Sequence, residues 1–263
     1  MRRGALAALV FAVAFVVLGF LALPVVAIFT HVTPGRLAAQ LSNSVVTDAL
    51  VVSLKTSALA QVFVLALGTP TAYLLSRRFR GRGLLLTLVE LPLVLPPAVA
   101  GLGLLAAFGR TGLLHTGLPF TQAAVVVAVV FVGGPIYVRA AIAAFEAVDP
   151  NLVAASRTLG AGPVKTFFRV VLPLARDGLA AGEALSFARG LGEFGATIMF
   201  AGSLQRVTQT LPLAVYAEFD VSFDTALAVS ALLVLISAAL LVTLKWLASS
   251  STSPSRFALS TSN

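Results

Sequence analysis

Ser186, Arg189, Glu193 and Thr197 are the residues best placed to do chemistry, because they are polar or charged side chains inside an apolar run. With Gly182 they are spaced 4, 3, 4 and 4 residues apart, which puts them on one face of a single helix. A polar stripe on such a helix should face protein or water rather than lipid. Arg189 and Glu193, at i and i+4, can neutralise each other, or the guanidinium can meet a passing anion. The spacing leaves both readings open. Hydroxyls and backbone N–H groups could pass a polar solute along such a face without a tight charged site, and tight binding would slow release. Gly190, Gly192 and Gly195 interleave with the stripe and allow close helix approach.

Other chemistries lack their residues. No Gly-Lys pair occurs, so the Gly-rich cradle with its lysine that holds nucleotide phosphates is missing. Cysteine is absent and His31 and His115 are the only histidines, so a His/Cys metal centre is not expected. No patch interleaves basic and aromatic residues in the manner of a nucleic-acid surface.

The elements that must position the stripe are membrane helices. Of 263 residues, 59% are hydrophobic and 11% charged, against about a quarter charged in a soluble domain. The mean hydropathy is +1.01. So few charges cannot cover a water-facing surface, and the expected class is an all-α polytopic membrane protein. Apolar runs predict six spans, at about 5–29, 44–76, 84–108, 123–144, 178–200 and 226–247. The first run is about twice the length of a signal-peptide core, so it is read as an anchored span. Residues 1–43 then hold the first span and an external link in which Pro34-Gly35 marks a turn. Residues 44–247 form the core, and the Ser/Thr-rich segment 248–263 is expected to be a disordered tail.

Prolines interrupt the third span at Pro92, Pro96 and Pro97. Each removes a hydrogen-bond donor and clashes with the preceding turn, so the helix must kink or break. Broken helices at membrane depth line cavities or are buried in protein. Either a gate on a pathway or a structural kink fits. Glu90 stands beside this break and could pair with a loop arginine. Asp48 and Lys55 lie two turns apart on the second span and could pair with each other.

Arginines and lysines set the orientation. Arg77, Arg78, Arg80 and Arg82 crowd one short loop. Loop 145–177 carries Arg157, Lys165, Arg169 and Arg176, and both terminal segments are basic. The opposite face has Arg36, Arg110 and Arg206. The excess of basic residues marks the cytoplasmic side, so the loops and both termini are expected there. The net charge of +8 is explained in this way, by lipid headgroups rather than nucleic acid.

Within the long cytoplasmic loop, residues 149–173 are polar and punctuated. Asp149 is a natural N-cap, and Pro150 suits the first helical position. A helix follows to Leu159, and Gly160 can end it in a left-handed conformation. After Gly162-Pro163 a second short helix is predicted, with Val164, Phe167, Phe168 and Val171 on its apolar face. Lys165 and Arg169 lie opposite, and Leu172-Pro173 would close it. The pair suits either a plain interfacial helix pair or a docking surface for a cytoplasmic partner.

This segment resembles the EAA motif of type I ABC importer permeases. That pattern runs Glu-Ala-Ala, three residues, Gly, nine residues, Ile-x-Leu-Pro. Here Ala154-Ala155-Ser156 stands at its start, Gly160 follows after three residues, and nine more lead to Val170-Val171-Leu172-Pro173. The departures are Ala154 in place of Glu and Ser156 in place of the second Ala. The 184–202 segment, with Gly195-Ala196-Thr197-Ile198-Met199-Phe200-Ala201-Gly202, is similar to the molybdate (ModB-like) permease branch, beside the sulfate/thiosulfate permeases. Thr208 to Tyr216 and the Leu91-Pro97 segment fit it too.

The resemblance implies a type I ABC importer permease fold and the membrane subunit of an ATP-driven oxyanion importer, most closely for molybdate, with sulfate, thiosulfate or tungstate as alternatives. It implies ATPase coupling through Asp149, Pro150, Ala154, Ala155, Ser156, Arg157, Leu159, Gly160, Leu172 and Pro173. The translocation path would use Pro92, Pro96, Pro97, Ser186, Arg189, Glu193 and Thr197. Implied partners are a second copy of the chain, a cytoplasmic ABC ATPase dimer, an external oxyanion-binding protein and the lipid bilayer of a prokaryotic plasma membrane. The chain would not be an enzyme and would bind no cofactor, since ATP and Mg would be used by the ATPase. A secondary transporter working alone would instead need intramembrane carboxylates, for which Asp48, Glu90, Glu183 and Glu193 are candidates. A membrane scaffold without transport is disfavoured by the kinked spans and the polar stripe.

Overall fold

The computed structural model describes residues 2–251, all of whose regular elements are helices. In chain order they are α1 (Arg2–His31), α2 (Pro34–Gln40), α3 (Ser44–Leu75), α4 (Arg82–Val94), α5 (Pro97–Phe108) and α6 (Gln122–Glu146). There follow α7 (Pro150–Thr158), α8 (Pro163–Thr166), a π turn (Phe167–Val171), α9 (Leu172–Leu191), α10 (Gly195–Ala201), α11 (Leu211–Glu218) and α12 (Phe223–Ser251).

Segments 9–31, 44–75, 122–146 and 223–240 are each long and apolar enough to cross a bilayer, and α4 with α5 makes a fifth, bent candidate. The bend between α4 and α5 is 115°, so the prolines break the expected third span rather than kink it. Leu95 and Pro96 are extended, and Pro97 opens α5 in the first-turn position where its missing N–H costs nothing. The expected fifth span is also broken. Its first part, α9, has 20 residues but carries Arg176, Asp177, Glu183 and Arg189.

Several links fold further than expected. Pro34 opens α2 instead of making a turn, and Pro212 sits in the first turn of α11 within what was expected to be loop. Helix α12 continues through residues 248–251, the first part of the expected disordered tail, and 252–263 lie outside the described residues. The second short helix of the 149–173 segment does not close at Leu172-Pro173. Instead α8 runs through the π turn directly into α9, with the Leu172 N–H donating to the Phe167 carbonyl. The widened turn absorbs the donor that Pro173 lacks. Its expected apolar face divides: Val171 is buried and Phe167 half-buried, whereas Val164 and Phe168 are exposed.

Helix α6 is the centre of the bundle, packed on α3, α9, α10, α5 and α4. Its contact with α9 is antiparallel and built from small residues. A Cβ on Gly178 would stand 2.6 Å from Ala144 Cβ, and one on Gly182 would stand 2.6 Å from Ala140 Cβ. Further along, Gly190 meets Val129 at 2.7 Å in the same sense. Gly178, Gly182, Ser186 and Gly190 recur every four residues, so one ridge of α9 lies flush on α6. Helix α3 runs parallel to α6 on another side, with Gly68 beneath the Tyr137 ring and the Thr69 hydroxyl 2.6 Å from the Tyr137 hydroxyl. Helix α1 touches α12 and leaves Phe11, Phe15 and Phe20 exposed, as befits a lipid-facing helix at the rim.

Ion pairs differ from the sequence expectation. Asp48 and Lys55 do not pair with each other: Asp48 Oδ2 accepts from Arg206 Nε at 3.1 Å, and Lys55 donates to Gln122 Oε1 at 2.9 Å. Glu90 pairs with Arg139 of α6 rather than a loop arginine, while Arg82, the first residue of α4, pairs with Glu146. These partners lie far away in sequence, and only the helix packing brings them together.

Replacing Gly182 with leucine drives a side chain into Ala140 and should destabilise the protein by about 1–3 kcal/mol. Thermal unfolding in detergent should show a lowered Tm for Gly182→Leu. Gly103→Leu, with open space around it, should leave Tm nearly unchanged.

Candidate functional site

Two regions answer to the sequence expectations: the protruding 150–158 helix and the junction of the broken helices. The first forms as its residues dictate. Asp149 Oδ1 accepts from the Asn151 N–H at 2.8 Å, and Pro150 occupies the first turn. Gly160 takes φ +83°, the left-handed conformation that ends the helix. Val153 and Ser156 are half-buried toward the body, and the Ser156 hydroxyl lies 3.2 Å from that of Thr166. The rest of α7 faces outward, and Leu159, 87% exposed, is its most prominent apolar side chain. Ala154, Ala155 and Arg157 share that exposed surface, whereas Leu172 and Pro173 lie at the start of α9, beyond the π turn.

A three-residue link, 147–149, ties α7 to the end of α6. On its other side it leads through α8 and the π turn into α9. Helix α7 is thus tied by short connections to both partners of the close α6–α9 contact.

The second region differs from a single polar face. Helix α9 ends at Leu191 with Gly192 as its C-cap, and α10 begins at Gly195. Glu193 lies in the break, fully buried, and Thr197 belongs to α10. One Glu193 oxygen, Oε1, accepts from the Ala196 N–H at 2.8 Å, satisfying an orphan donor of α10. The other, Oε2, is 2.7 Å from Arg189 Nη1, an ion contact short of hydrogen-bond alignment. The arginine side chain remains 37% exposed and its partner 1%, so the pair has one wet and one dry end.

Ser186 and Gly182 face α6 rather than a lumen. The Ser186 hydroxyl is buried and donates to the Gly133 carbonyl at 3.0 Å, a backbone group beside Pro135. Gly190 and Gly195 allow close approach as expected, Gly195 against Pro97 at 2.7 Å for a built Cβ. Gly192 does not, since only its own helix lies near it. Gly101 of α5 meets the Ala196 carbonyl at 2.6 Å in the same sense, so the two broken helices pack backbone to backbone. Pro97 thus lies against Gly195, between Glu193 and Thr197 in the chain, with Pro96 next to it in sequence. Pro92 instead lines an apolar cavity of about 250 Å³ with Phe63, Val64, Gly134 and Pro135.

Sequence reasoning missed the α3 contribution. Ser53, Thr56, Ser57 and Gln61 are all buried, at three- and four-residue spacing that could have flagged them. The Ser53 hydroxyl accepts from the Leu211 N–H at 2.7 Å and so caps α11. Gln61 Oε1 is 3.4 Å from the Ser186 hydroxyl, and its Nε2 has no hydrogen-bond partner among the described residues. The Thr197 and Thr210 hydroxyls and Glu183 Oε2 are also buried without one.

The family of binding-protein-dependent transport system inner membrane components matches residues 65–249. The chain belongs to this family. Among its relatives is the molybdenum transport system permease protein ModB of Mycobacterium tuberculosis, 43% identical over 228 residues, covering 83% of this chain and 86% of that protein. A probable molybdenum ABC transporter permease protein of Haloferax volcanii is 42% identical, covering 81% of each chain. The ModB protein of Escherichia coli K12 is 43% identical over 178 residues, covering 64% of this chain and 78% of that one.

Among solved structures, a bacterial ABC transporter for import of the acidic polysaccharide alginate superposes with TM-score 0.76 at 14% identity, covering 95% of this chain and 97% of that one. The MetNI methionine ABC transporter gives 0.63 at 18% identity, covering 79% and 96%. At such identities the likeness is one of fold. The family member described here is therefore a multi-pass inner-membrane permease subunit with the type I ABC importer fold. It is a translocation component, not an enzyme, and it works with an ATPase and a substrate-binding protein.

Removing the arginine from the Arg189–Glu193 pair leaves a buried carboxylate without its charge partner, a penalty of at least about 1 kcal/mol. Arg189→Ala should lower Tm more than the double variant Arg189→Ala/Glu193→Gln, in which no buried charge remains. The reverse order would mean that the pair is not held as a unit.

Proposed function

We propose that this permease imports molybdate, driven by ATP hydrolysis in a separate subunit that docks on α7. The observation that carries the substrate is the 43% identity to a molybdenum permease over 83% of this chain. The working unit is a homodimer with two ATPase subunits, an external oxyanion-binding protein, and both termini in the cytoplasm. ATP and Mg are bound by the ATPase and no cofactor by this chain. The arginine-rich 77–82 loop and the α7 loop support this orientation, since they share one end of the bundle and line one cavity.

Coupling acts through rigid connections. Closure of the ATPases moves α7, whose exposed Ala154, Ala155, Arg157 and Leu159 meet the partner. Asp149, Pro150 and Gly160 keep the helix short and capped, and Ser156 braces it against Thr166. The displacement passes through Leu172 and Pro173 into α9 and tilts the α9–α10 break against α5. Arg189 offers the exposed cation at that break, Glu193 holds it in place, and Thr197 with Pro96 and Pro97 shapes the surrounding wall. Ser186 keeps α9 seated on α6, and Pro92 lets α4 bend away from the pathway. A single weak cation suits an oxyanion that must be released.

Uptake of labelled molybdate into proteoliposomes containing permease, ATPase and binding protein tests this reading. Uptake should require ATP and fall when unlabelled molybdate competes. Stronger competition by sulfate would assign the substrate to sulfate, and uptake without the ATPase would overturn the coupling. Gly160→Pro imposes a negative φ where the chain needs +83°. It should abolish uptake while membrane insertion and ATP hydrolysis persist. Arg189→Ala should impair uptake more than Lys55→Ala, whose ammonium is taken up by Gln122.

A further inference from the structure

Between the 77–82 segment and α7 lies a cavity of about 900 Å³ whose one wall, with Pro150, Ala154 and Arg157, belongs to the docking helix and whose other wall, with Tyr73, Arg77, Arg78 and Arg82, does not. Four guanidiniums, those of Arg77, Arg78, Arg82 and Arg157, line it against one carboxylate, Glu146. Arg82 is committed to that carboxylate and to the Leu75 carbonyl, which its Nε meets at 2.6 Å. Arg77 lies over the Tyr73 ring, 4.5 Å from its centroid, and Arg78 and Arg157 have no carboxylate partner among the described residues. The cavity therefore holds a strong, uncompensated positive charge at the end of the bundle.

A second hollow, of about 440 Å³, adjoins it and shares Tyr73 and Arg77 as a common wall. It is apolar, framed by Pro70, Leu74, Val164, Phe167 and Phe168. Val164 is 71% exposed and Phe168 60%, so these side chains lie uncovered beside the basic cavity. A phosphate-sized anion in water would use only the first hollow. A molecule with an anionic head and a hydrocarbon tail would use both.

We propose that the paired hollows hold one anionic phospholipid, its phosphate group at Arg77 and Arg78 and an acyl chain along Leu74, Val164 and Phe168. Basic pockets at helix ends on the cytoplasmic side suit such headgroups by charge, and the adjoining groove supplies the apolar contact. The lipid would lie against the link from α3 to α4 and against α7, stiffening the helix that meets the ATPase. Assignment to the inner leaflet rests on the orientation proposed above. Lipid retention itself does not, so the two claims fail separately.

The test is native mass spectrometry of the assembled permease–ATPase complex, released from nanodiscs of phosphatidylcholine with phosphatidylglycerol. The complex should keep phosphatidylglycerol in preference to phosphatidylcholine. Arg78→Gln should weaken that retention about fivefold, the effect of one basic residue beside an anionic lipid surface. Phe168→Ser should weaken it as well, and Arg80→Gln, outside the cavity, should not. Retention unchanged in Arg78→Gln or Phe168→Ser would overturn the proposal, as would an equal loss in Arg80→Gln. Displacement of the lipid by millimolar inorganic phosphate or molybdate would also overturn it and make the cavity a site for free oxyanions.

Discussion

The close antiparallel contact between α6 and α9 is the constraint on which the rest of the structure depends. It exists because Gly178, Gly182, Ser186 and Gly190 recur at four-residue intervals and face Ala144, Ala140, Gly133 and Val129. Membrane helices gain no hydrophobic drive from one another, since lipid is as apolar as their side chains. Van der Waals contact at short range and the Ser186–Gly133 hydrogen bond must hold the pair instead. The same contact fixes everything attached to its ends. At one end the chain leaves α6, forms α7 and re-enters through the π turn. At the other, α9 stops and hands over to the Glu193 break and α10.

This arrangement explains why the charged and polar groups lie where they do. Arg189 can stay partly wet because Glu193 is tied down twice, by the arginine and by the Ala196 N–H. A buried carboxylate with both oxygens engaged is tolerable where a free one would not be. The two broken helices, α5 and α10, meet through Gly101 and Gly195, where any larger residue would force them apart. Breaks at membrane depth survive because they are enclosed by protein on this side. The α7 helix needs no such protection, since its caps satisfy its ends in water.

Legibility in the sequence followed the range of the interactions. The caps at Asp149 and Pro150 and the left-handed Gly160 were readable because each depends on residues at most a few positions away. That the third span must kink or break at its prolines was readable for the same reason, although the start of α5 at Pro97 was not singled out. The polar stripe misled because its period was carried through Gly192, where the helix stops, and so Glu193 and Thr197 were assigned to the wrong element. The true small-residue ridge was half visible in Gly182, Ser186 and Gly190, but Gly178 was left out. Pro173 suggests a helix end by its missing donor, yet a π turn can absorb that loss without ending the helix. Partners for Asp48, Lys55 and Glu90 could not be read, since Arg206, Gln122 and Arg139 approach them only through packing. Gln61 is legible by its spacing from Ser53 and Ser57 in α3, although as an uncharged side chain it gives a weaker signal than an intramembrane arginine or carboxylate.

The central claim is that the exposed α7 helix is the point at which the ATPase drives this permease. The chain has no cysteine, so single cysteines can be placed without background. A short bifunctional crosslinker at Leu159→Cys, in the assembled transporter in membranes, tests the claim most directly. The account predicts a permease–ATPase adduct from Leu159→Cys and none from Leu114→Cys, an exposed position in the loop before α6. An ATPase adduct from Leu114→Cys, or its absence from Leu159→Cys, would contradict the account.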